Sequence, residues 1–348
     1  MKLGENSWLA DHQQHCLTLD LDVDLVKKRI ITASIEVERL LASVAEEPGE
    51  LNDFILEDIV SKLEARLVKG NTIGLLCSGG EDSIYLLMAL VRGLGKSPKL
   101  FCYETKNNSS DVKRLKKIAN ILNLELYLFD SDNLDRSAAY KIFIESQKRP
   151  PNDLAQPVHN ALYFEAVENH DCDVVIDGQF CDTVLLSNPQ NHFLLWMEKH
   201  PVLIRLAIKF LNYLPLNKSS KFSSRLSYLQ DLSDTSTSIE RIFKLINLKN
   251  PDEDVITLTG GLVDKFGTQL TFSICFFYCL LAVRERDKYL LCPDLFSPFD
   301  DFSFAIICSR NIEQVLGSFV RKKPIRNVCK KYFPSLFRLQ NTLPFELE

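Results

Sequence analysis

The chain has 348 residues, 46% of them apolar and 25% charged, which excludes a disordered or collagen-like polymer. That length allows roughly two domains, or one large α/β domain with extensions. Lys and Arg number 41 against 46 Asp and Glu, and the net charge of −5 argues against wholesale binding of a nucleic-acid polyanion. The start, MKLGENSWLADHQQH, has no apolar core and does not read as a secretory signal. The 10 cysteines lie scattered in apolar runs and read as reduced, buried thiols, so the expected location is the cytoplasm. Cys275 and Cys279 have no second ligand pair at zinc spacing, and no metal is expected there.

In chain order, residues 1–20 are polar and irregular. Residues 23–45 carry apolar side chains at helical spacing, up to the turn-like Glu47-Pro48-Gly49. A second amphipathic helix places Leu51, Phe54, Ile55, Ile59, Leu63 and Leu67 on one face and closes at Lys69-Gly70. An alternation follows. Thr72 to Cys77, Lys99 to Tyr103, Glu125 to Phe129 and Asp173 to Asp177 read as buried strands. Helices are expected between them at about 81–94, 111–122, 135–147 and 158–169.

Strands alternating with helices at this spacing predict an α/β fold, a doubly wound parallel sheet. Beyond Pro189 the pattern turns helical, including an amphipathic stretch from Pro201 to Leu214. Residues 217–238 are Ser-rich and read as a connection or lid. The run from Phe272 to Val283 is too short to span a bilayer and reads as a buried helix, so no membrane partner is expected. The expected organisation is an N-terminal helical extension over 1–52 and a second, larger part over 53–345. Within residues 53–345, the α/β core covers about 70–190 and a mostly helical portion about 191–345.

Ligands of such sheets sit outside the carboxyl ends of the strands, near the point where strand order reverses. Two polar turns fall at strand ends, after Cys77 and after Asp177. The first is Ser78-Gly79-Gly80-Glu81-Asp82-Ser83. Its two glycines permit a sharp turn and close approach of backbone to a phosphate, with the Ser78 and Ser83 hydroxyls beside a helix N-terminus. Asp82 would repel a bare phosphate but suits one bridged by Mg2+. A plain turn capped by Ser and Asp has the same letters, and the strand before and helix after favour the phosphate reading. No Gly-Lys-Ser/Thr follows and the third glycine is missing, which excludes a Walker loop and a dinucleotide fingerprint.

SGGEDS resembles the SGGxDS pyrophosphate-binding loop of the N-type ATP pyrophosphatases. Further segments resemble the synthetase domain of asparagine synthetases and its relatives, the β-lactam synthetases and lasso-peptide cyclases. Asp173 to Asp182 is similar to that family's second signature. So are Pro298-Phe299-Asp300-Asp301, with Asp294 before it and Phe304-Ala305 after it, and the tail from Arg321 to Arg326 with Phe333-Pro334. The resemblance covers about residues 53–345 and implies an adenine nucleotide α-hydrolase-like fold. It implies ATP held by Cys77, Ser78, Gly79, Gly80, Asp82, Ser83, Tyr103, Gly178 and Gln179, with Mg2+ on Asp82 and Asp182. Lys322 takes the position of the lysine that stabilises charge during amide formation, and Lys323, one residue along, is the neighbouring candidate.

The implied activity is an AMP-forming ligase that adenylates a small-molecule or peptide carboxylate and joins it to an amine. The family's glutaminase begins with a cysteine, and position 2 here is Lys, so the amine is expected free, on the substrate, or from a separate amine-supplying or carrier protein. Gln179 stands where the family has a proton-accepting residue, and Gln cannot take a proton from an ammonium nucleophile. Three alternatives stay open: thiolation or amidation of a nucleotide or sugar carbonyl, with Cys181 as the sulfur candidate; an ATP-binding scaffold without turnover; and an interaction protein using 217–238. His159, His170 and His192 are not spaced as a metal site or triad.

Overall fold

A computed structural model describes residues 28, 30–32, 35, 39, 51–67, 70–104, 109–130, 161–163, 165–187, 189–213, 229–246, 248, 250–277, 295–299, 315 and 322–332. The expected helix at 135–147, most of the N-terminal extension, residues 217–228 and 278–286, and Asp294, Asp300, Asp301, Phe304, Ala305, Arg321, Phe333, Pro334 and His159 lie outside these. Two compact units are present, each assembled from three stretches of chain: 1–44, 185–282 and 305–321 in one, and 45–184, 283–304 and 322–348 in the other.

The second unit holds a five-stranded sheet in which every pairing is parallel, in the order β3-β2-β1-β4-β5. Its strands are β1 (Ile73–Leu76), β2 (Lys99–Glu104), β3 (Leu126–Asp130), β4 (Val174–Ile176) and β5 (Leu295–Phe296). Parallel strands need covered faces, which is why β1 and β4 are continuous buried runs rather than alternating ones. The chain runs outward from β1 through β2 to β3, then returns to lay β4 on the other side of β1. Strand order therefore reverses between β1 and β4, and the turns after those two strands flank the crevice where doubly wound sheets take their ligands.

Around the sheet stand α1 (Leu51–Arg66), α2 (Glu81–Met88) and α3 (Ser109–Leu122). Ile55, Ile59 and Leu63 of α1 are fully buried, as their helical spacing predicts. The helix after the first turn does not run unbroken to residue 94. It widens into a π-turn over Ala89–Gly93, where a Cβ on Gly93 would meet Val60 Cγ2 at 2.5 Å. A short helix α4 (Cys181–Val184) follows β4.

The first unit is helical: α5 (Pro189–Lys199), α6 (Pro201–Tyr213), α7 (Ser238–Leu245), α8 (Glu253–Phe266) and a helical run over 268–277. Thr237 caps α7 by accepting from the Glu240 N–H at 3.2 Å, and Asp252 caps α8 by accepting from Val255 at 2.8 Å. Gly267, at φ +79, ends α8. Ile242, Val255, Leu262, Phe272 and Cys275 form part of its core. The last helix described, α9 (Lys323–Tyr332), belongs to the sheet-bearing unit and packs on α1 and α2. Among the described residues, no helix is long and apolar enough to cross a membrane.

Candidate functional site

The turn after β1 is built around glycine. Gly79 sits at φ +80, in the left-handed region that side chains avoid, and a Cβ there would stand 2.4 Å from the carbonyl oxygen of Asp111 on α3. No other residue fits. Gly80 is the N-cap of α2 and provides no side-chain acceptor for the first turn. Ser78 Oγ instead accepts from the Gly80 N–H at 3.2 Å, and Ser83 Oγ donates to the Gly80 carbonyl at 3.1 Å. The two hydroxyls stand 3.5 Å apart. They thus face each other across the helix N-terminus, the arrangement that favours an anion.

The turn after β4 closes against this one. A Cβ on Gly178 would lie 3.2 Å from Asp82 Cβ, so glycine permits the close approach of the two turns. Gln179 is held by its backbone: its N–H donates to Asp177 at 3.2 Å, and its carbonyl accepts from Ser297 Oγ at 2.8 Å. Ser297 follows β5, so the second turn is clamped from a third strand. Phe180 takes φ +67 on entering α4, which carries Cys181 and Asp182.

Lys322 completes the cluster. Its Nζ lies 2.7 Å from Asp82 Oδ2 and 3.2 Å from Asp182 Oδ1. Lys322 has φ +53, unusual for a lysine, and its carbonyl accepts from the Arg326 N–H at 3.0 Å, so it caps α9. Burial alone would depress the Lys322 ammonium, but Asp82 and Asp182 outweigh it and hold its proton more tightly than in an ordinary lysine. Asp82 Oδ1, the other oxygen, is buried and has no hydrogen-bond partner among the described residues.

Two further ion pairs anchor this arrangement. Buried Glu81 meets Arg326 Nε at 2.7 Å, and Lys331 donates to Asp53 at 2.8 Å, tying α9 to α2 and α1. Both Glu81 and Arg326 lie inside motifs visible in the sequence, but nothing in the sequence pairs them.

The structure thus gathers Ser78, Gly79, Gly80, Asp82, Ser83, Gly178, Gln179, Asp182 and Lys322 at the edge shared by β1 and β4. Cys77 lies beneath the turn, fully buried beside Ser83, and burial pushes its thiol up to about 11. Tyr103, at the end of β2, is packed in an apolar cluster and stands edge-on to Phe129. Lys323 opens α9 and makes no ion pair with the described residues. Cys181 is fully buried beside Asp82, and burial first and that carboxylate second drive its thiol well above the ordinary range. A nearby cation would act in the opposite direction, stabilising the thiolate. Burial and the neighbouring Asp82 carboxylate both favour the neutral thiol.

Mg2+ takes oxygen ligands and usually keeps only one or two carboxylates beside phosphate oxygens and water. Asp82, with its orphaned Oδ1, and Asp182 fit that requirement. No group of three or more His, Cys, Asp or Glu suited to a metal occurs among the described residues. A cation here would rest on those two carboxylates and on its substrate.

No protein-family profile matches the chain, and no curated protein matches it. Among solved structures, it is similar to the U34-tRNA thiolase NcsA from Methanococcus maripaludis with its 4Fe–4S cluster. That similarity is 12% identity over 66% of this chain and 79% of the other, at a TM-score of 0.31. At that score the likeness bears on neither substrate nor chemistry.

Proposed function

We propose that this protein binds Mg-ATP where β1 and β4 diverge and uses it to activate a small-molecule or peptide carboxylate, releasing AMP and diphosphate and joining the acyl group to an amine. The observation that carries this reading is the convergence of Lys322 on Asp82 and Asp182, beside a turn that only glycine can make. The resemblance of SGGEDS and of residues 173–182 to the pyrophosphatase signatures supports it from the sequence.

In this reading the Ser78–Ser83 turn receives the β- and γ-phosphates. Ser78 and Ser83 supply hydroxyl donors, and the first turn of α2 supplies backbone N–H groups. Asp82 and Asp182 would hold Mg2+, which neutralises charge on the leaving diphosphate when bound. Lys322 sits on the same carboxylates and stabilises negative charge that develops at the acyl centre. Gly178 keeps the second turn close enough for both carboxylates to act together. The amine arrives free, on the substrate, or from a separate protein.

The test is diphosphate release by purified protein with Mg-ATP and a panel of carboxylates. Asp82→Asn is expected to lower it by about a hundredfold or more. A second reading, an ATP-binding protein without turnover, is favoured by Gln179, which cannot act as a base. ATP binding with no diphosphate release across the panel selects it. Thiolation through Cys181 is disfavoured by the complete burial of that side chain.

A further inference from the structure

Helix α6 turns its apolar side the wrong way for a core helix. Ile208 is buried at 5% exposure. On the opposite face Val202, Leu206, Phe210 and Tyr213 recur at spacings of four, four and three, and are 68%, 58%, 63% and 85% exposed. Leu203, at 63%, widens the stripe. An outward row of large apolar side chains on a helix marks a surface that meets something other than water.

The charge around the stripe identifies what it meets. From Lys199 to Gln230 the chain contains no Asp or Glu, although the whole protein carries a net charge of −5. Lys199, Arg205 and Lys209 are the cations among its described residues up to the end of α6. On α6 itself, Arg205 and Lys209 lie one turn apart, along one border of the apolar stripe. Arg205 is exposed and fixed in place, its Nε donating to the Ser233 carbonyl at 2.9 Å. An apolar face bordered by cations, on a helix that carries no acidic residue of its own, is the pattern of a helix lying in the headgroup layer of an anionic bilayer.

We infer that α6 docks this protein on an anionic lipid surface, with Val202, Leu206, Phe210 and Tyr213 entering the acyl boundary and Arg205 and Lys209 meeting the headgroups. The absence of a spanning segment among the described residues is no obstacle, since such a helix lies on the membrane rather than crossing it. The inference is independent of the ATP site.

Co-sedimentation of the full chain with vesicles tests it. Binding is expected to vesicles of equal phosphatidylcholine and phosphatidylglycerol, to be weak on phosphatidylcholine alone, and to fall as salt rises. Leu206→Glu with Phe210→Glu, and Lys209→Glu separately, are each expected to weaken binding by about tenfold or more. All three side chains are exposed, so thermal unfolding of the variants should match the parent, and Lys209→Glu alone decides if the double variant does not. Failure to bind either vesicle, equal binding to both, or binding indifferent to these variants overturns the inference. So does a dimer in solution that the same variants dissociate while no vesicle is bound, because the stripe then meets a second copy.

Discussion

The Lys322 ammonium lies 2.7 Å from the Asp82 carboxylate, although 240 residues of chain separate them. Asp82 stands in the first turn of α2 and Lys322 caps the last helix described, and the parallel sheet brings both to one edge. The contact joins the loop expected to hold phosphate to the residue expected to stabilise charge.

Removing that ammonium leaves two carboxylates facing each other in a partly buried site. Lys322→Met is expected to cost about 2 kcal/mol near neutral pH, less than a fully buried pair because Asp182 retains solvent. The folded lysine binds its proton more tightly than the unfolded one. Its contribution is therefore complete below about pH 10.5, the ordinary lysine value, and is lost as pH rises through the higher folded value. Urea unfolding of both proteins across the alkaline range should show the difference shrinking above that pH.

Gly79→Ala should be among the most damaging single-methyl changes. It combines φ +80 with a Cβ placed 2.4 Å from the Asp111 carbonyl, and an expected loss of about 2–4 kcal/mol. Gly70→Ala is the control. Gly70 has φ +96 but open space around it, so about 1–2 kcal/mol is expected. Urea midpoints compare the two, and ATP binding should be lost only in Gly79→Ala.

Arg326→Met strands the buried Glu81 carboxylate and should cost about 2–4 kcal/mol. Adding Glu81→Gln removes the uncompensated charge, so the double variant is expected to be more stable than Arg326→Met alone. A double-mutant cycle from urea unfolding measures the coupling.

The buried thiols should be inert in the native protein. Burial pushes Cys77 up to about 11 and Cys329 up to about 12, and drives Cys181 well above the ordinary thiol range. Iodoacetamide at about pH 8, read residue by residue in mass spectra, should spare these three until denaturant is added. Cys181→Ala should leave diphosphate release unchanged within a few-fold. Abolition would restore a covalent role for that sulfur.

Some of the chain could be read from its letters because the cause was local. Ile55, Ile59 and Leu63 are buried because helical spacing puts them on one face, and Ile73 to Leu76 is a strand because a short apolar run beside SGG has no better place to go. Strand β5 was not legible. Leu295 and Phe296 are too few to show a period, and they become a strand only by pairing with Val175 and Ile176. The π-turn at Ala89–Gly93 was hidden for a similar reason, since it answers to Val60 on another helix.

Sequence by itself determined the α/β alternation, the glycine turn and the acidic residues that follow each of the two strand ends, because these depend on periodicity and on what glycine alone can do. It left Lys323 open beside Lys322 and allowed Cys181 a reactive thiolate. Tertiary structure decided where each of these side chains lies and what surrounds it. A left-handed φ at Lys322, held by the packing of α9, aims one ammonium at two carboxylates, and burial beside Asp82 keeps the Cys181 proton in place. Electrostatic state depends on depth and on neighbours distant in sequence, and neither is written in the local order of residues.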